Sequence, residues 1–149
     1  MRMRHVLALA AVTLAVVMVP TPALADTRFH ADSGDRCQYG STDGVLTTVR
    51  LALVGVTGTL TDRPTRTDPV VCPDDGFFSV ATFTGLAGER VIDSQAVRAN
   101  NSTVKVDLVL GSLSAVARID RVVIQVCRHP LVTLPPSYCG RAVEYRAPF

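Results

Sequence analysis

The sequence predicts an all-β protein, built as a single antiparallel β-sandwich with two disulfides. Apolar and polar residues alternate in short runs separated by turn signals, which is typical of sandwich strands. No stretch keeps a helical period for three turns, and all four cysteines lie at or beyond Cys37. An immunoglobulin-like Greek key is the favoured version, with a jelly roll or a small barrel as alternatives. The absence of tryptophan excludes an antibody-type domain.

Residues 1–25 predict a cleavable secretory signal. Arg2 and Arg4 precede the apolar run Val6–Val19, and the small residues of Ala23–Ala25 follow it. As a helix this run would be about 21 Å long, which is too short to cross a hydrocarbon core of roughly 30 Å. We therefore expect the protein to be extracellular and to begin at Asp26.

Removal of the signal leaves a protein with no net charge. The whole chain carries 15 lysines and arginines against 13 acids, and the signal contains Arg2 and Arg4 but no acid. A neutral domain has no basic stripe for a phosphate backbone, so nucleic acid is not expected as a partner. No other run is long and apolar enough to span a membrane. Arginine replaces lysine at all basic positions but Lys105, a bias associated with GC-rich actinomycete genomes.

Residues 26–149 suit one domain. The polar segment Asp26–Arg36 predicts a mobile N-terminal arm, and residues 37–149 predict the sandwich. Asp62–Pro69 is expected to be a loop, Pro73–Gly76 a turn, and Gly111–Ala117 the one place for a helical turn. The expected strands are Thr47–Val56, Pro69–Cys72, Phe77–Thr84, Glu89–Arg98, Val104–Leu110, Arg121–Cys127 and Ala142–Arg146.

The four cysteines indicate a disulfide framework, since the chain is short and exported. A metal site is disfavoured because there is no CxxC and only His30 and His129 remain after export. Three pairings are possible, and sequence alone does not choose between them. We favour Cys37–Cys72 with Cys127–Cys139, because the second pair flanks a segment that has the pattern of one loop between two strands.

No catalytic or cofactor motif is present. The segment Gly111–Ala115 lacks the closing glycine of a nucleophile elbow, and His30 and His129 are expected to be solvated bystanders. The acids Asp74 and Asp75 fit a polar turn better than a calcium or glycosidase site. We expect no enzyme activity, no cofactor and no metal, and solvent-facing roles for strand arginines such as Arg50, Arg118 and Arg121.

One segment, Arg128–Tyr138, stands apart from the rest of the chain. It lies between Cys127 and Cys139, contains three prolines and no acid, and carries the apolar residues Leu131, Val132, Leu134 and Tyr138. These four side chains either fold back to cap the sandwich or are displayed for a partner. Proline stiffening would lower the ordering cost of binding. We take the four residues as candidate partner-binding residues for another secreted or cell-surface protein.

The C-terminal pattern Val122–Cys127, Tyr138–Gly140 and Val143–Tyr145 resembles the ending of small secreted actinomycete proteins. Some disulfide-bonded proteins of this kind are adapter subunits of umbrella toxin particles, where they join a lectin-bearing subunit to a toxin-bearing stalk. That resemblance implies a non-catalytic protein-interaction domain. The chain is also similar to secreted subtilisin inhibitors in size, signal and cysteine count, although it lacks their Cys-Pro-rich reactive-site pattern. A serine protease inhibitor is therefore the alternative function.

Overall fold

The computed structural model of this protein describes residues 26–50, 52–63, 72, 76–111 and 117–148. These residues form β-strands and the turns and loops between them, and none of them forms a helix that is long and apolar enough to cross a bilayer. Several expectations fall outside the described residues: the signal peptide, the strand residues 69–71, the turn residues 73–75 and the possible helical turn at 112–116. The strands are β1 (Thr27–Asp32), β2 (Gly40–Arg50), β3 (Leu53–Asp62), β4 (Phe77–Ala87), β5 (Arg90–Ala99), β6 (Thr103–Leu110), β7 (Arg121–Pro130), β8 (Tyr138–Cys139) and β9 (Val143–Arg146).

The strands form two antiparallel sheets. Sheet A has the order β1-β2-β3-β6, and sheet B has the order β5-β4-β7, with β8 and β9 both pairing with the far side of β7. The chain crosses between the sheets so that β6 lies beside β3 and β7 lies beside β4. This architecture confirms the all-β antiparallel fold with two disulfides. Its immunoglobulin-like version stays a prediction.

One apolar core fills the space between the sheets. On β7 the alternating residues Val122, Ile124 and Val126 are fully buried, as their spacing predicts. Sheet A contributes Val106 and Leu110 from β6, among other residues of the same core cluster. Burying each such side chain stabilises the fold by about 1.5–3 kcal/mol. The regular alternation therefore determines which face of each strand lies against the core.

The predicted mobile arm, Asp26–Arg36, contains a strand of the sandwich, so the domain begins before the predicted boundary at residue 37. Thr27–Asp32 forms the edge strand β1, and Phe29 inserts into the core, where its ring meets Phe83 edge-on at 5.9 Å. Phe29 pairs with Gly44 on β2, where a Cβ atom would lie 2.7 Å from the Phe29 ring. The prediction of a mobile arm was wrong because Phe29 is the only aromatic residue in a polar segment, which is weak evidence for a strand. The burial of Phe29 also depends on Gly44, which is distant in the sequence.

The expected strand Thr47–Val56 is two strands. β2 ends at Arg50 and β3 begins at Leu53, so the segment spans a tight hairpin. The sequence has no glycine or proline between the two strands, so the residues that usually indicate a hairpin turn are missing and the turn was not predicted. Asp62, expected in a loop, is the buried last residue of β3.

Side chains cover open sheet edges. The Tyr145 hydroxyl accepts a hydrogen bond from the His30 N–H at 2.9 Å and donates one to the His30 carbonyl at 2.6 Å, so β9 protects β1. On the opposite side, Gln95 Nε2 donates to the Val109 carbonyl, and Asp93 accepts from the Gly111 N–H. Such coverage removes groups that could pair with another chain's strand.

Candidate protein-binding loop

The segment between β7 and β8 is Leu131–Ser137, which we call the proline loop. β7 continues as far as Pro130 and β8 begins at Tyr138, so Arg128 and His129 belong to a strand rather than to the expected longer loop. The predicted partner-binding residues Leu131, Val132 and Leu134 lie in the loop itself. Tyr138 lies at the base of the loop.

The apolar side chains of the proline loop are exposed. The exposed fractions are 49% for Leu131, 71% for Val132 and 74% for Leu134. Of the two alternatives left open by the sequence, these three side chains do not cap the core. Single exposed apolar residues are common on protein surfaces, but here three of them lie within residues 131–134 of one short loop.

Covalent and hydrogen-bond contacts brace the loop. The Cys127–Cys139 disulfide joins paired residues of β7 and β8, and Cys37–Cys72 is the other bridge, which confirms the favoured pairing. The Leu131 N–H donates to the Gly76 carbonyl at 2.9 Å. His129 Nδ1 and Ser137 Oγ share a hydrogen bond of 2.9 Å. The first residue of the loop is therefore tied to the residue before β4, and the last one to β7.

Tyr138, the first residue of β8, packs against the domain at the end of the proline loop. It is half-buried, and its ring packs against Phe77 with centroids 5.5 Å apart. Its side chain also makes a hydrogen bond with Arg128. Tyr138 thus differs from the three exposed residues, because it is half-buried and contacts Phe77 and Arg128 of the domain.

A buried ion pair lies beneath the loop and was missed by the sequence analysis. The Arg128 and Asp62 side chains are both buried, and Nη1 of Arg128 contacts Oδ1 of Asp62. Ser79 Oγ accepts from Arg128 Nη1 and donates to Asp62 Oδ1, each at 2.7 Å. The Asn101 N–H donates to the second carboxylate oxygen of Asp62 at 2.7 Å. This cluster ties β3, β4 and β7 together at one end of the sandwich.

Arg128 is charged despite its burial. Removal from water is the largest influence and lowers the pKa of the Arg128 guanidinium, while Tyr138 and Asp35 act in the opposite direction. The intrinsic pKa of arginine is high enough for the group to stay protonated in proteins. The sequence did contain an indication that Arg128 is buried, since Arg128 follows Val122, Ile124 and Val126 at even spacing along β7. This even spacing places the Arg128 side chain on the core face of β7, although a charged side chain is normally expected to face solvent.

Neither histidine shows the contacts of a catalytic triad. His129 contacts Ser137, but its ring stacks on Phe78 at 5.4 Å, and no described contact places a carboxylate on it. A triad histidine needs such a carboxylate to orient its ring. His30 is exposed, and its Nδ1 does lie 2.6 Å from Asp43 Oδ1. Its Nε2, however, is 3.6 Å from a second carboxylate, Asp32 Oδ2, where a triad would place the serine hydroxyl. Within the described ranges, no group of three or more potential metal ligands comes together.

A second polar feature lies at the opposite end of sheet B. Arg121 is 3.3 Å from Glu89 and 3.5 Å from Glu144, and it borders a shallow cleft also lined by Asp120 and Arg146. The hydrogen bond that Arg121 donates to the Glu89 carboxylate is the main cause that raises the pKa of Arg121. Ion pairs this close to solvent contribute little to stability. Arg121 is therefore only partly solvent-facing, whereas Arg50 and Arg118 are exposed as expected.

Comparisons with protein family models, with curated proteins and with solved structures find no match to this chain.

Proposed function

We propose that this protein is a secreted, non-catalytic domain that binds another protein through the proline loop. The observation that carries the proposal is the exposure of Leu131, Val132 and Leu134 on a loop fixed at both ends. Exposed apolar side chains lower the solubility of a protein and do not stabilise its fold, and such residues often mark a surface that a partner buries. Buried anchors of this kind supply most of the energy of many interfaces.

The bracing of the loop supports the same proposal. Association loses free energy when a mobile segment has to become ordered, and this loss is smaller for a loop already held by a disulfide and prolines. The Cys127–Cys139 bridge, the Leu131–Gly76 hydrogen bond and the His129–Ser137 contact hold this loop before any partner arrives. Preorganisation of this kind raises affinity without adding contacts.

Extracellular location is part of the proposal. Two disulfides suit an oxidising compartment, and the pattern of residues 1–25 is that of a secretory signal. The resemblance of the C-terminal pattern suggests a narrower version, in which the protein is an adapter subunit of a secreted actinomycete toxin particle. That version predicts co-purification with large secreted subunits.

The test removes the anchors without disturbing the core. Changing Leu131 and Leu134 together to serine should leave the melting temperature nearly unchanged, because both side chains are already exposed. Losing a buried leucine anchor costs on the order of 1–3 kcal/mol, so affinity for a partner isolated from culture supernatant should fall at least tenfold. Val109→Ser is the matched control, since Val109 is 46% exposed on β6. Unimpaired partner binding by the double variant would refute the proposal.

A protease inhibitor is the second candidate, favoured by the same disulfide-closed, exposed loop. It predicts that the wild-type protein inhibits a serine protease and that the double variant does not. Inhibition assays with subtilisin-like and trypsin-like enzymes separate this function from that of an adapter, which would bind its partner without affecting either protease.

A further inference from the structure

Three side chains on the outer surface of sheet B lead directly to the proline loop. The guanidinium of Arg98 on β5 lies 3.7 Å from the ring centroid of Phe78 on β4, and the His129 ring on β7 stacks against Phe78 at 5.4 Å. His129 in turn contacts Ser137 at the end of the loop. We call Arg98, Phe78 and His129 the outer row. It crosses three neighbouring strands and ends at the exposed apolar residues.

The outer row faces solvent rather than the core. Phe77 and Ser79, the neighbours of Phe78, are buried, and so is Arg128, the neighbour of His129. Since side chains alternate between faces along a strand, Phe78 and His129 point outward. Arg98 is exposed at its end of β5.

Of the three described strands that carry the outer row, only β5 contains an acid. β4 and β7 contain no acid, and the acid of β5, Asp93, accepts hydrogen bonds from Gln95 and Gly111 near the opposite end of the strand. Glu144 on β9 is engaged by Arg121 at the far end of the sheet. Within the described part of the chain, Arg98 therefore carries a cation with a π partner but no carboxylate partner.

We propose that the outer row and the proline loop form one surface, and that it binds a protein segment carrying a carboxylate next to apolar side chains. This inference rests on the proposed function and specifies the chemistry of the partner. The Phe78 ring lies 3.7 Å from the central carbon of the Arg98 guanidinium, and a guanidinium presents parallel N–H groups that match a carboxylate. The partner's apolar side chains contact Leu131, Val132 and Leu134.

The size of the surface suits a short extended segment. Neighbouring strands are about 4.8 Å apart, and Arg98 lies opposite Cys127, two residues from His129. Arg98 and His129 are therefore separated by roughly 12 Å, and Leu131 lies about 7 Å further along the chain. An extended segment of about five residues covers that span. Stacking of a sugar is disfavoured, because the guanidinium of Arg98 already covers the Phe78 ring.

A library of short random peptides displayed on phage tests the inference with the full secreted protein as bait. Enriched peptides should combine an aspartate or glutamate with apolar residues. Arg98→Glu should weaken their binding at least tenfold, and replacing the peptide's acid by lysine should restore binding to that variant. Arg90→Glu is the matched control, because Arg90 is an exposed arginine at the other end of the same strand.

The outcomes separate this inference from the proposed function. Peptides whose binding depends on Leu134 but not on Arg98 overturn the acidic-partner inference and leave the loop as a binding site. Peptides indifferent to Leu134→Ser, or no enrichment at all, overturn both. Binding of heparin that needs Arg98 but not Leu134 also overturns the inference, in favour of an anionic polymer.

Discussion

The ion pair between Asp62 and Arg128 should be one of the most sensitive points of the fold. Asp62 accepts hydrogen bonds from Arg128, Ser79 and the Asn101 N–H, and both ionic side chains are buried. Asp62→Ala removes all three interactions and leaves the Arg128 charge buried without its carboxylate. Breaking a buried pair in this way costs about 3–5 kcal/mol. Because domains are stable by about 5–15 kcal/mol, the change should remove a large part of the free energy of unfolding.

Urea unfolding with both disulfides intact measures the loss. The midpoint for Asp62→Ala should fall while the slope stays near its wild-type value, since the surface exposed on unfolding hardly changes. Asp107→Ala is the control, because Asp107 pairs with Lys105 on the surface, where the two side chains are 62% and 75% exposed. That exposed pair should contribute less than about 1 kcal/mol.

A compensated variant tests the reason for the loss. Replacing Asp62 by leucine, Ser79 by alanine and Arg128 by methionine removes the charges and the hydroxyl together. Apolar replacement of a whole buried ion pair is often neutral or stabilising, so this variant should recover most of the stability lost in Asp62→Ala. The reasoning is wrong if Asp62→Ala costs no more than Asp107→Ala, or if the apolar variant is the less stable of the two.

Three further predictions concern the N-terminus of the secreted protein, the disulfide that closes the proline loop and the pH dependence of stability. The intact mass of the secreted protein should correspond to a chain beginning at Asp26; a species in the medium that retains residues 1–25 would contradict this. Replacing both Cys127 and Cys139 by alanine should lower the free energy of unfolding by about 2–3 kcal/mol, as measured by urea unfolding, because it opens a ring of sequence separation 12. Burial would raise the pKa of Asp93, but hydrogen bonds from Gln95, Gly111 and Ser94 outweigh it and lower the pKa below its usual 3.8. Asp93→Asn should therefore destabilise the protein at pH 7, and the difference from wild type should shrink as unfolding is measured at pH values falling below about 4; a difference that is constant with pH would contradict this.

Local patterning was enough to predict the fold class and several of its elements. Apolar residues recur at every second position of β6 and of the first part of β7, and this even spacing predicts which face of each strand is turned toward the core. The favoured pairing of Cys127 with Cys139 was also correct, because a short loop between two neighbouring strands brings its ends together. The exposure of the proline loop was left open by the sequence, since its apolar residues suit a core cap as well as a surface.

Other features depend on contacts between segments far apart in the sequence. Phe29 is buried because Gly44 leaves room for its ring, and Arg128 is buried because Asp62, from the other sheet, supplies its counter-charge. The outer row likewise exists only because strand pairing places Arg98 and His129 on either side of β4. The sequence by itself determined which residues alternate and which could be buried. Only the tertiary structure decided which partners they meet, because the energy of burying a charge or an aromatic ring depends on groups that the chain brings together by folding.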